Sequence, residues 1–416
     1  MPNWLSAPIT PDCCPPKAKQ EEKALNVQRK CPVCNDNGFE VLYQQNFAES
    51  DFNLITNSCV VTCDLCGMGF LTPIPAQQEW DEYYMLFSKY AIAATTNSND
   101  QSRFDRIADF FAAANIADSS SLLDIGCSNG GLLETLAKRG FNKLTGVDPA
   151  PISPQFLREG SNVQYIQATI NNFTSSLYYD VISLEQVLEH LVEPRTIIKK
   201  IAEMQMPGGL IYIGVPNGKN FTQSTDGPFQ QFSVEHVNFF SLSVLKTLMH
   251  DFGYVLSSYQ EIQQEVATHI EVPLLMTLWI KTGKKFTNEI IKDYDLRLEL
   301  SDYIAQSSKL FEKVVTSLSE WVLRTPGLYL WGAGTHTLRL IGDTKLDVAH
   351  IKAIIDSNPF YCGRSIRGIP ILSPSSVLNP MIPILISSFI AQKSIAIYSK
   401  EILGLENELL LLYPET

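Results

Sequence analysis

From Ser121 onward, short apolar runs alternate with segments whose apolar residues recur at helical spacing. "SLLDIGC", "KLTGVDP", "VQYIQAT", "YDVISLE" and "LIYIGVP" are each long enough for one strand, and "YVLSSYQ" and "HIEVPLLMTLWIKTG" add two more. Strands of this length separated by helices form βαβ units, which close into a parallel sheet with helices on both faces. The pattern predicts such a domain between about 121 and 282. Residues 285 to about 324 carry mixed charges at helical spacing and read as a connector. The alternation restarts with "GLYLWGAG", "IKAIIDSN", a turn region "CGRSIRGIP" and "IPILISS", so a second, smaller α/β unit ends the chain.

Ahead of these strands the pattern is weaker. Residues 1–30, rich in Pro, Lys, Gln and Glu, read as a disordered tail. "AQQEWDEYYMLFSKY" and the polar "TTNSNDQS" read as a hinge, followed by a leading helix in "RFDRIADFFAAANI". In the aromatic stretch "SVEHVNFFS", Glu235 and His236 are adjacent, and on a strand they would point to opposite faces. The expected domains are a tail over 1–30, a cysteine module with its hinge over 31–88, an α/β domain over 89–283, a helical connector over 284–324, and a C-terminal Rossmann-like α/β domain over 325–416.

Composition narrows the partners. A net charge of −12 opposes a nucleic-acid backbone as the main ligand. The N-terminus lacks a basic segment followed by an apolar run, and no clean span of about 18 apolar residues occurs. Asn379 to Ser399 comes nearest, but Pro380, Pro383 and Lys393 interrupt it. A cytoplasmic protein with neither nucleic acid nor membrane as partner is expected.

Of the nine cysteines, seven precede residue 70, and four of these form two C-x2-C pairs, Cys31 with Cys34 and Cys63 with Cys66. Two such knuckles supply four thiolates to one tetrahedral Zn²⁺. A site closed by four sulfurs has no open position for water, so the expected role of zinc is structural. Cys59 breaks the pairing and reads as a buried thiol. The alternative is four free or disulfide-paired cysteines.

"LLDIGCSNGGLLETL" passes from a strand through a glycine turn into a helix. Gly126 and Gly130 let the backbone approach a ligand at a helix N-terminus. The spacing departs from the G-x-G-x-x-G of nicotinamide binders. Asp148 ends the next strand, where a carboxylate can accept hydrogen bonds from ribose hydroxyls.

Together Asp124 to Gly130, Asp148, "YDVISLEQVLEHL" and "MPGGLIYIGVPN" resemble the class I S-adenosylmethionine-dependent methyltransferases. The resemblance implies a Rossmann-like fold over roughly residues 100–282. It implies cofactor contacts from Asp124, Gly126, Ser128, Gly130 and Asp148, with Glu185 on the methyl side and Thr169 near adenine. The order of segments also resembles sugar C-methyltransferases acting on nucleotide-linked 4-keto deoxysugars. In those enzymes a Glu-His pair and a second histidine flank the sugar, and Glu235, His236 and His190 match those positions. The resemblance therefore implies His236 as base, Glu235 as its orienting group, His190 as donor or alternative base, and Tyr84 as a phenolic partner. Abstraction of a proton beside a ketone needs such a base and an enolate donor. Ser233 departs from the tyrosine those enzymes carry.

Other readings stay open. His190 can cap a helix and His236 can be bonded in a half-buried turn. The acceptor can be another small metabolite methylated on oxygen or nitrogen, or the chain can be an inactive zinc-containing scaffold. Gly332 and Gly334 suit either a phosphate or a tight strand-to-helix turn. His250, His269, His336 and His350 read as ordinary surface or core residues.

Overall fold

In the computed structural model, residues 28–87, 98–151, 163–284, 290, 292–343, 348–376 and 378–413 are described. The tail expected over 1–30 lies outside these residues except for 28–30, as do residues 88–97 of the expected hinge.

The cysteine-rich segment forms an antiparallel meander of β1 (Phe39–Asn46), β2 (Asn57–Cys63) and β3 (Gly69–Thr72). A helix, α1 (Gln77–Phe87), follows and buries Trp80 and Tyr83. Next comes α2 (Ser98–Ala113), whose inward face carries Phe104, Ile107, Ala108, Phe110 and Phe111. The polar "SNDQS" expected in the hinge is thus helical. Asp100 favours the positive end of the helix, and Arg103 pairs with it one turn on at 3.2 Å.

The central domain runs through β4 (Ser121–Ile125), α3 (Gly131–Lys138), β5 (Lys143–Asp148), β6 (Val163–Gln167), β7 (Val181–Glu185), α4 (Pro194–Glu203) and β8 (Leu210–Pro216). Then come β9 (Asn238–Phe239), α5 (Leu242–His250), β10 (Tyr254–Ala267) and β11 (Ile270–Lys281). All seven expected runs are strands of one sheet, ordered β10-β11-β8-β7-β4-β5-β6. The core strands are parallel and β11 and β10 are antiparallel. β4 sits between β5 and β7, so the chain order reverses there and a crevice opens at the strands' carboxyl ends.

β9 does not join that sheet. It pairs with β3, Gly69 opposite Phe239, and completes the meander as a fourth strand. Glu235 and His236 therefore occupy a turn before a two-residue strand.

α6 (Tyr294–Arg324) is the connector. Its cap Asp293 accepts from Leu296 N and from the Ser241 hydroxyl, and its N–H donates to Cys66 O. One buried aspartate thus joins the second knuckle, through its N–H, to the starts of α5 and α6, through its carboxylate.

The C-terminal domain comprises β12 (Leu328–Trp331), α7 (Thr335–Asp343), β13 (Ile351–Ile355), β14 (Ser365–Ile366), β15 (Ile369–Leu372), β16 (Ile384–Ile386), α8 (Gln392–Ile397) and β17 (Leu409–Leu411). Its sheet order is β14-β15-β13-β12-β16-β17. The expected turn region "CGRSIRGIP" contains a tight hairpin, because Arg367 and Gly368 both take positive φ, 49° and 79°. A continuous core links the three parts, from Phe70 through Ile182 and Leu300 to Leu338. No helix among the described residues is long and apolar enough to cross a membrane.

Candidate active site

A cavity of about 220 Å³ opens at the carboxyl ends of β4, β5 and β7. Its floor is the turn after β4. Gly126 (φ 74°) and Ser128 (φ 50°) are left-handed, and a Cβ at Gly126 would collide with the Val187 side chain. Asp148 accepts from Ser128 N and Ala150 N, both at 2.8 Å, which draws the turn against the end of β5. Burial pushes the Asp148 carboxyl up from its ordinary range.

Asp124 lines the same cavity and accepts from the Ser183 hydroxyl at 2.5 Å. Burial raises it to about 7. Glu185 accepts from the Tyr212 hydroxyl at 2.8 Å and faces Arg103 at 3.4 Å. Burial raises it too, against the pull of Arg103. Thr169 is buried in the wall and its hydroxyl accepts from Asn172 N.

The opposite wall comes from α1 and two loops. Tyr84 Oη and the Glu235 carbonyl oxygen each lie 3.0 Å from His190 Nδ1. A protonated Nδ1 faces both oxygens as a donor, and that tautomer leaves the lone pair on Nε2. The Tyr83 hydroxyl donates to Glu235 Oε1 at 2.9 Å. Ser233 Oγ accepts from both Glu235 N and His236 N, so the departing serine sharpens this turn.

Asn238 clamps the two loops. Its amide donates to Leu188 O and Leu191 O, and Arg29 donates to its oxygen. Arg29 also donates to Val192 O and Val237 O. The histidine loops are held against the cysteine module by these bonds and by the pairing of β9 with β3.

The structure brings Tyr84, Asp124, Gly126, Ser128, Asp148, Thr169, Glu185, His190 and Glu235 into one cavity. Gly130 lies outside its lining and serves as the left-handed cap of α3, with Tyr165 where a Cβ would stand. His236 is not in the lining either. Its ring meets that of His190 edge-on at 5.0 Å. Glu189 was not anticipated. It is fully buried, burial raises it to about 8, and neither carboxylate oxygen has a hydrogen-bond partner among the described residues. Tyr83, Gln186 and Arg103 were also missed. Only the paired tyrosines of "DEYY" carried a signal, since two adjacent phenols on a helix reach two different neighbours.

Cys31, Cys34, Cys63 and Cys66 converge with all four sulfurs within 4.8 Å of one another. Cys31 Sγ to Cys66 Sγ is 3.5 Å and Cys34 Sγ to Cys63 Sγ is 3.4 Å. Zinc–sulfur bonds of about 2.3 Å in a tetrahedron put neighbouring sulfurs about 3.8 Å apart, so the set fits that ion. Asn35 (φ 67°) and Gly67 (φ 78°) turn the chain after each pair.

Residues 97–259 match the family model described as a methyltransferase domain. The central domain is similar to a methyltransferase domain. Among curated proteins, this methyltransferase domain is similar to the ubiquinone biosynthesis O-methyltransferase of Erwinia tasmaniensis, 32% identical over 111 residues, 25% of this chain and 45% of that protein. The corresponding enzyme of Aeromonas salmonicida is 35% identical over 103 residues, 23% of this chain and 43% of that protein. The chain thus spans less than half the length of these relatives. Among solved structures, 1,6-didemethyltoxoflavin-N1-methyltransferase of Burkholderia thailandensis, with bound S-adenosylhomocysteine, is 16% identical with a TM-score of 0.40 and covers 56% of this chain and 100% of its own. N-methyltransferase NodS of Bradyrhizobium japonicum, also with S-adenosylhomocysteine, is 19% identical with a TM-score of 0.36 and covers 49% of this chain and 97% of its own.

Proposed function

We propose that this protein transfers the methyl group of S-adenosylmethionine to a small molecule, and that the acceptor is a nucleotide-linked keto deoxysugar methylated at carbon. The observation that carries the reading is one cavity joining the Asp124–Ser128–Asp148 cradle to His190, Tyr84 and Glu235. Asp148 would receive the ribose hydroxyls, and Asp124 and the turn at Gly126 would face the amino-acid end. Bound S-adenosylmethionine supplies an electrophilic methyl on its sulfonium.

The chain's own residues would prepare the nucleophile. His190, in the tautomer protonated on Nδ1, takes on Nε2, which lies 4.0 Å from Glu189 Oε1, the proton from the carbon beside the acceptor's ketone. Tyr84 faces the same imidazole and steadies it. As the enolate carbon bonds to the methyl, the methyl–sulfur bond breaks and its electron pair stays on sulfur. His236, the residue expected to be the base, would instead support His190 from behind, since it stands outside the cavity lining. Four cysteine sulfurs would hold a structural zinc, which anchors β3 and through it the turn carrying Glu235.

Similarity to ubiquinone biosynthesis O-methyltransferases favours a second reading, in which the same imidazole deprotonates a hydroxyl. Mass spectrometry and carbon-13 NMR of products from S-adenosylmethionine with nucleotide-linked 4-keto sugars and with a catechol test both. A new C–methyl on sugar that His190→Ala loses supports the first. An O–methyl on the catechol alone transfers the assignment to the second.

A further inference from the structure

The loop after β7 and the turn before β9 both line the main cavity, through His190 and Glu235. Val237 N donates to Glu189 O at 2.9 Å, and the Asn238 amide donates to Leu188 O and Leu191 O, so the two segments keep a fixed register. Three donors of the kind that bind metal meet between them. A carboxylate oxygen of Glu189 and one ring nitrogen each of His190 and His236 all lie within 4.8 Å of one another. Glu189 Oε1 is 4.0 Å from His190 Nε2, and the two imidazole rings stand edge-on at 5.0 Å.

Glu189 is 1% exposed, and both of its carboxylate oxygens are buried without a hydrogen-bond partner among the described residues. A buried carboxylate is normally bonded or paired, and a cation at Oε1 satisfies it. His190 is also oriented as a metal ligand is, since its Nδ1 lies 3.0 Å from the Glu235 carbonyl oxygen and 3.0 Å from Tyr84 Oη. An imidazole that donates from one nitrogen to a carbonyl presents the other to a metal in a fixed direction. Bonds of about 2.1 Å at the tetrahedral angle put neighbouring donors about 3.4 Å apart, so side-chain shifts of about 1 Å close the three onto one ion.

We infer that Glu189, His190 and His236 form a second metal site, separate from the cysteine cluster, for a divalent transition ion such as zinc or cobalt. Two imidazoles and one carboxylate favour such an ion over magnesium or calcium, which prefer oxygen donors throughout. Three protein ligands leave further coordination positions open, unlike the closed set of four sulfurs. The site also bears on turnover, a consequence that rests on the methyl-transfer reading. The lone pair on Nε2 cannot hold a metal and take a substrate proton at once, so an ion here switches the base off.

The test titrates the full chain, its cysteine cluster loaded with zinc, with cobalt chloride and follows visible absorption. One cobalt per chain is expected beyond the zinc, with the d–d bands of nitrogen and oxygen ligands and without the thiolate charge-transfer band that marks exchange into the cysteine cluster. Glu189→Gln and His236→Gln should each weaken this binding by at least about tenfold, and excess magnesium chloride should not displace the cobalt. Zinc content and affinity for S-adenosylhomocysteine should stay as in the wild type, which reports an intact fold. Absence of the additional cobalt, its appearance only in the thiolate band, or its retention at full strength in both variants would overturn the site. Cobalt should also lower methyl transfer by the wild type about tenfold once the second ion is bound, and transfer unchanged at full occupancy would overturn the switch while leaving the site. A wild type that transfers no methyl removes the methyl-transfer reading, and the cobalt titration still decides the site.

Discussion

The hydroxyl of Tyr83 donates to Oε1 of Glu235 at 2.9 Å, across 152 positions of sequence. Tyr83 belongs to α1 and Glu235 to the turn before β9, so this bond closes the helix onto the site wall. Tyr83→Phe keeps the ring and removes only the donor. Methyl transfer should fall by about tenfold while affinity for S-adenosylhomocysteine stays unchanged, as separate kinetic and calorimetric measurements would read. An unaltered rate would show that the orientation of Glu235 is irrelevant to turnover.

Zinc content and the site should fail together. Cys66 supplies a sulfur to the cluster, and its carbonyl accepts from Asp293, the cap of α6. Cys66→Ser is expected to lose bound zinc by elemental analysis and to lower the melting temperature by several degrees, because binding energy of a structural zinc is folding energy. Transfer should decline as well, since β3 holds β9 and the turn bearing Glu235.

If Asp124 receives the cofactor as proposed, affinity should depend on pH. Burial raises its carboxyl to about 7, so below that pH it is mostly neutral in the empty protein. A neutral carboxyl cannot pair with a cationic ligand. Affinity should therefore rise as pH increases through 7, with proton release on binding that Asp124→Asn abolishes. Titrations in two buffers of different ionisation enthalpy would read it. The same shift means that the empty fold loses stability as pH rises from about 4 towards 7.

His336 has the opposite sign. It is buried against Tyr413, 2.7 Å from Nε2 to the phenol oxygen, and burial lowers it from 6.5 to about 3. The fold holds it neutral, so its contribution is intact above 6.5 and is lost as pH falls through that value towards 3. At pH 5 the loss should be about 2 kcal/mol, and His336→Gln should remove this part of the acid sensitivity in urea unfolding.

Arg339 is 1% exposed and its guanidinium sits over Phe47 and Phe229, with hydrogen bonds to Gln45 Oε1 and Phe232 O. It joins the C-terminal helix α7 to the cysteine module and to the loop before Ser233. Arg339→Met should cost about 3 kcal/mol of stability by denaturant titration. A cost near zero would show that aromatic packing alone holds the three parts together.

The strands of the central sheet were legible because each is a short apolar run whose burial its own residues demand, "VISL" in β7 being the clearest. The turn after β4 was legible for a similar local reason. Gly126 takes a backbone conformation with no room for a Cβ, and Asp148 ends the next strand. The cysteine knuckles announce their convergence through spacing alone.

Local pattern had no access to partnerships between distant segments. Nothing in "VNFF" shows that Asn238–Phe239 leaves the central sheet to pair with β3, because a two-residue strand has no periodicity of its own. That pairing, with the Asn238 clamp, brings Glu235 into the cavity wall and sets the His236 ring edge-on against His190 at 5.0 Å. The succession of strands along the chain and the glycine turn after β4 followed from the sequence by itself. Which side chains from α1 and the turn before β9 reach the cavity wall was decided by long-range hydrogen bonds between elements that only the folded chain brings together.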